Sequence, residues 1–183
     1  VHLGLGFTQP KPKISIKFVA DFKETIESIN LEGDYKDFLT TIPLLKNLKT
    51  LWLSSTKLKD FDFLQGLPLE TLGNYGSRVE SFDFLPNIQS LRRIWIKTNS
   101  KIENIDFIEQ LPNLEDIELQ YVAKVTRFPK CDHLKHLKRI FAFECNRLED
   151  ISEVKKLKNC AIHISGKKLA GRQYKFELTD GKI

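Results

Sequence analysis

Cys131, His133 and His136 place a thiol and two imidazoles close together, donor types that suit a zinc ion. Cys131, however, aligns with Ile108 and Val154 in the repeat pattern set out below, positions that face a core, so it reads as packing and not as a ligand. Cys145 and Cys160 also have structural positions. An odd, mutually distant set of three thiols argues against a disulfide framework and for a reducing compartment. Gly4-x-Gly6 lacks the remainder of a dinucleotide or phosphate loop. The four histidines are scattered, neither G-x-S-x-G nor H-E-x-x-H occurs, and the carboxylates gather on a convex edge rather than in a cleft. The chain therefore reads as a non-enzyme, with no catalytic residue, cofactor or metal expected.

Residues suited to recognition are arranged more regularly. Trp52, Trp95, Glu118 and Phe141 share one column of the pattern, Tyr75, Lys97 and Phe143 the next, and Arg93, Asp116 and Arg139 the one before. Trp, Tyr and Arg are the side chains that most often dominate binding energy at protein interfaces.

What makes columns of them is a repeat. A leucine-led phrase, L-x-x-L-x-L, starts at Ile26, Leu48, Leu69, Leu91, Leu114, Leu137 and Leu157, at intervals of 22, 21, 22, 23, 23 and 20 residues. Such a period belongs to a solenoid, whose units must stack because none can bury its apolar face alone. Clear copies are Leu48-x-x-Leu51-x-Leu53 and Leu114-x-x-Ile117-x-Leu119, and the seventh reads Leu157-x-x-Cys160-x-Ile162. The alternation predicts one short strand per repeat, its second and third apolar residues inward and those between and beside them outward. Eight residues after the start stand Asp34, Thr56, Ser77, Asn99, Cys145 and Ser165, small or polar, with Val122 the exception. Side chains there can bond the backbone where the chain turns inside the coil. Leu58, Val79, Ile102, Val125 and Leu148, then Phe61, Phe82, Ile105, Phe128 and Ile151, fill the core from the far side. The return segments have room for a single turn, 3₁₀ or short α.

With several registered columns over about residues 26–169, the chain resembles the leucine-rich repeat proteins, in the short-repeat class that includes bacterial internalin-like proteins. The resemblance implies an α/β solenoid. That is an arc with a parallel β-sheet on its concave side, short 3₁₀, helical or irregular convex segments, and protein binding on the concave sheet. One domain, 1–183, would divide into an N-terminal cap (1–25), seven repeats (26–165) and a C-terminal cap (166–183), both caps of β type. Leu3, Leu5 and Phe7, then Ile14, Ile16 and Phe18 after Pro10 and Pro12, predict two extra strands. Ile162, Ile164, a turn region from Gly166 to Gly171, and Tyr174, Phe176 and Leu178 predict a closing hairpin. Asn74 at an inward position, with Gly73 and Gly76 beside it, predicts a distorted third strand.

The candidate partner-binding residues are Trp52, Tyr75, Trp95, Phe141 and Phe143 as anchors, with Arg93, Lys97, Asp116, Glu118 and Arg139 for specificity. Parallel strands would hold Trp52 and Trp95 about 10 Å apart with Gly73 between them, either a slot for a partner side chain or an irregular repeat. Arg93, Asp116 and Arg139 form either a contact site or an intramolecular ladder. Lys46, Lys49, Arg92, Lys135, Lys138, Lys155, Lys156 and Lys158 make a basic edge, opposed by an acidic one of Asp60, Asp62, Glu80, Asp83, Glu103, Asp106, Glu149, Asp150 and Glu153. The leading reading is a protein that binds a protein partner, for example as an inhibitor such as a bacterial toxin-immunity protein. RNA or single-stranded DNA along the basic edge is the alternative, and self-association through the apolar face is a third. A formal charge of +5 singles out no partner. With no leader pattern and no apolar run of about 18 residues, the expectation is a cytoplasmic protein without membrane association, monomeric when alone.

Overall fold

The computed structural model describes residues 1–5, 14–169 and 174–176. Nine strands lie there in one sheet, in chain order: β1 (His2–Leu5), β2 (Ser28–Glu32), β3 (Thr50–Ser54), β4 (Thr71–Tyr75), β5 (Arg93–Asn99), β6 (Asp116–Val122), β7 (Arg139–Phe143), β8 (Ala161–Ile164) and β9 (Tyr174–Phe176). β1 to β8 pair in parallel, and β9 closes the sheet antiparallel to β8. The inward residues Ile29, Leu51, Leu72, Ile94, Ile117, Ile140 and Ile162 stack in register and are buried. A one-residue slip would expose them all, so burial specifies the register.

The far wall is built of single turns: 3₁₀ at Asp62–Leu64, Leu85–Asn87, Asp106–Gln110 and Val154–Lys156, and one α-turn at Phe38–Thr41. Phenylalanines pack along it, edge-on for Phe61 and Phe82 with ring centroids 6.2 Å apart, and tilted by 45° for Phe82 and Phe107 with centroids 5.7 Å apart. Burying each such ring stabilises the coil by roughly 1.5–3 kcal/mol.

Each of the strands β2 to β7 is followed or ended by a left-handed residue: Gly33 (φ 90°), Ser55 (55°), Gly76 (63°), Thr98 (54°), Tyr121 (53°) and Glu144 (53°). The turn then runs inward over the polar column. Asn99 donates to the Val79 carbonyl at 3.0 Å and accepts from the amides of Lys101 and Ile102 at 2.7 and 3.0 Å.

Three details differ from the sequence expectations. Ile14–Phe18 is not a second cap strand: Ser15 makes one bridge to Lys36, and a 3₁₀-helix follows at Lys17–Phe22. Ile16, immediately before it, and Val19 within it are buried three residues apart, so a period of three wins over a period of two. The third strand is regular, pairing through all five residues with both neighbours. Asn74 is buried within it and accepts a hydrogen bond from the Ser77 hydroxyl at 2.6 Å. The seventh strand is displaced by two residues: Ile162 and Ile164, not Cys160 and Ile162, pair with Ile140 and Ala142, which also moves Ser165 out of the turn column. The expected closing hairpin is present, pairing Ile162 with Phe176 and Ile164 with Tyr174, whereas Gly6, Phe7, Pro10, Pro12, Gly171 and Leu178 lie outside the described residues.

Candidate protein-binding face

The sheet's parallel register puts all ten candidate residues on its outward, concave face, on strands β3 to β7. Trp52, Gly73 and Trp95 are consecutive partners across β3, β4 and β5. The two indoles do not stand apart as a slot. They lean together over the missing side chain of Gly73 until their centroids are 4.7 Å apart and their planes 68° to each other. A Cβ on Gly73 would sit 2.0 Å from Cε3 and 2.3 Å from Cζ3 of Trp52, so the glycine is the seat of that ring. Gly73 is thus neither the floor of an open slot nor a sign of irregularity.

A network of charges adjoins the indoles. Glu118, 7% exposed, receives Lys97 Nζ at 3.0 Å, Arg139 Nη2 at 2.8 Å and Gln120 Nε2 at 2.7 Å. Arg139 Nε also reaches Asp116 Oδ1 at 2.9 Å. Burial pushes the Glu118 carboxyl up, but the hydrogen bonds and charges of Lys97 and Arg139 together outweigh it and hold its pKa below the ordinary value. The same two carboxylates raise the Arg139 guanidinium against the opposing effect of burial. Lys97 and Arg139 also lie 5.9 and 6.0 Å from the Trp95 ring, within reach of a cation–π attraction. The predicted ladder is therefore half intramolecular: Asp116 is taken by Arg139. Arg93 is exposed and has neither hydrogen bond nor ion pair through its side chain among the described residues.

Further along, Phe141 stacks on His163 (5.0 Å, 15°), its register partner after the two-residue displacement of β8. Phe143 meets Tyr121 edge-on at 5.7 Å. Tyr121 was not among the candidates, because a strand ending at Gln120 would leave it in the turn. β6 runs on to Val122, and Tyr121, left-handed and 51% exposed, lines a groove together with Tyr75, 52% exposed. That groove, about 480 Å³, is lined by Trp52, Tyr75, Trp95, Lys97, Gln120 and Tyr121 among others. The signal that could have found Tyr121 is its column: it stands seven residues after a repeat start, where Gly33 and Gly76 stand in other coils.

The edges are not simply basic and acidic. Glu27, Lys49, Glu70, Arg92, Glu115 and Lys138 occupy one column of alternating sign. Lys49 reaches Glu27 at 3.2 Å, and Glu115 takes both Arg92 and, at 3.2 Å, Lys138. On the acidic side Glu103 binds Lys124 and Asp106 binds Arg127, both at 2.7 Å. Exposed pairs like these add little stability but cancel local charge.

Cys131 is fully buried, and burial pushes its thiol up to about 12; Cys145 and Cys160 are likewise raised by burial, to about 11. His133 is exposed and its Nε2 lies 2.8 Å from the Glu109 carbonyl. Among the described residues no three His, Cys, Asp or Glu side chains converge as a metal set, and no helix is long and apolar enough to cross a membrane.

A scan against protein-family models finds none that matches the sequence, and a search of curated proteins finds no match. Solved structures do match. Human 5T4 (Wnt-activated inhibitory factor 1, trophoblast glycoprotein) has a TM-score of 0.58 at 18% identity, over 78% of this chain and 60% of that one. The plant peptide hormone receptor RGFR1, in complex with RGF2, gives 0.59 at 13% identity, over 91% and 30%. The functional domain of InlJ from Listeria monocytogenes gives 0.56 at 14% identity, over 82% and 32%. This chain thus spans less than two thirds of each neighbour. Registered L-x-x-L-x-L coils, an unbroken parallel sheet and these neighbours agree: the chain has the leucine-rich repeat fold.

Proposed function

We propose that this protein is a non-catalytic recognition module that binds a protein partner on its concave sheet. The observation that carries the reading is the groove, which two half-exposed tyrosines and the tryptophan pair line together. Large aromatic surface held open in this way is characteristic of binding sites. One structural neighbour is a plant peptide hormone receptor in complex with RGF2, which supports the same use of the fold. The edge column, whose cations alternate with carboxylates, offers no continuous track for phosphates and so gives the nucleic-acid alternative no support.

The finer form of the proposal is inhibition by occupancy, as an immunity protein acts on a toxin domain. A cytoplasmic setting belongs to the same proposal, favoured by three buried, unpaired thiols. The test is affinity capture from the native host with wild type and with a folded Tyr75→Ala, Tyr121→Ala variant, followed by titration of the purified partner. A loss of affinity of about tenfold or more in the variant is expected. Equal affinity of both for every captured protein would refute the concave-face reading.

A further inference from the structure

The charges on the concave face are unevenly satisfied, and the remainder describes a partner. Asp116 and Glu118 are both committed to Arg139, and Glu118 holds three donors at once. If Lys97 were drawn away, Glu118 would keep Arg139 and Gln120. Lys97 is the single formally charged residue lining the groove, and Arg93, two residues before Trp95 on the same strand, has no ion pair among the described residues. Strand β5 thus presents a cation, an indole and a second cation at alternate positions, with Arg93 and Lys97 four residues or about 13 Å apart along the strand. The phenols of Tyr75 and Tyr121 and the Thr98 hydroxyl add neutral donors around the same groove. The remaining carboxylates of the face, Glu32 and Glu144, lie three and two strands away from Lys97, so about 10 Å or more. Thr98 and Tyr121 hold left-handed backbone at the rim of this groove.

We propose that the partner docks through an acidic segment in which two carboxylates flank an apolar or aromatic residue. One carboxylate engages Arg93, the other Lys97, and the central side chain packs between Tyr75 and Tyr121 on the indole floor. This inference rests on the concave-face reading above and adds the chemistry of the occupant. The formal charge of +5 steers such a segment towards the protein at long range.

The test is selection of random 12-residue peptides displayed on phage against the intact, immobilised protein, followed by titration of synthetic winners. Binding is compared between wild type, an Arg93→Gln, Lys97→Gln variant and Tyr121→Ala, each shown to be folded by urea denaturation. The expected result is enrichment of Asp or Glu on both sides of an apolar residue. These peptides should bind at least about tenfold more weakly to the charge variant, and Tyr121→Ala should weaken them too. Neutral or basic winners that need Tyr121 but ignore the charge variant would overturn the acidic partner and leave the docking face standing. Winners indifferent to Tyr121 and to both cations would overturn both readings. A dimer in light scattering that Tyr121→Ala dissolves would assign the face to a second copy and also overturn the proposal.

Discussion

Replacing Gly73 by alanine should change the sign of its effect according to what stands at position 52. In an empty strand, Gly→Ala stabilises by about 0.5–1 kcal/mol, because glycine loses more backbone freedom on folding. Here the new Cβ would lie 2.0 Å from Cε3 of Trp52, well inside contact distance. The indole must swing off its seat and give up its edge contact with Trp95, worth about 0.5–1.5 kcal/mol, together with part of its burial. Gly73→Ala should therefore destabilise the wild type by about 0.5–1 kcal/mol and stabilise Trp52→Ala by about the same amount, a coupling of about 1–2 kcal/mol. The assay is urea denaturation of the four proteins of the cycle, followed by far-ultraviolet circular dichroism so that loss of a tryptophan does not alter the probe. A shift in Trp95 emission on Gly73→Ala should accompany the energetic coupling. Equal effects of Gly73→Ala in both backgrounds would refute the account of the glycine as the seat of Trp52.

The left-handed column gives a paired expectation: Gly76→Ala should cost about 1–2 kcal/mol in thermal or urea unfolding, and Thr98→Gly should stabilise by up to about 1 kcal/mol, since only the backbone conformation is at issue. Asn99→Ala removes one donated and two accepted hydrogen bonds from a buried turn and should cost about 2–4 kcal/mol in the same measurement. Because the folded pKa of Glu118 lies below the ordinary 4.5, its stabilising contribution is fully present above that value and is lost as pH falls through the folded one. Glu118→Gln should accordingly flatten the decline of the urea midpoint on the acid side, although it lowers stability at neutral pH. Cys131, with its thiol pushed up to about 12, should react with a disulfide reagent only upon unfolding, at a rate that follows denaturant concentration.

The sheet, its register through six coils and the polar turn column were legible because each rests on a period that burial enforces: Leu51, Leu72, Ile94, Ile117 and Ile140 are inward by alternation alone. The seventh coil was misregistered for the same reason. Cys160, Ile162 and Ile164 are apolar at alternate positions, so a displacement of two residues keeps every one of them inward and leaves the face pattern unchanged. At the N-terminal cap, Ile14, Ile16 and Phe18 fit a strand, but Ile16 and Val19 also fit a tight helix, and packing chose the second. The ten candidate positions were readable as columns, yet columns give the spacing of backbones and not the lean of rings. The closure of the tryptophans over Gly73, and the sharing of Glu118 among three donors, depend on side-chain direction, which no spacing records.

The alternating column Glu27, Lys49, Glu70, Arg92, Glu115 and Lys138 acts as a parity check on the number of coils. Deleting one interior coil would bring two neighbours of the same sign side by side. Deleting two adjacent coils would restore the alternation. Lengthening or shortening of this solenoid in steps of two coils therefore keeps the sign alternation of this column, although the structural unit is a single turn.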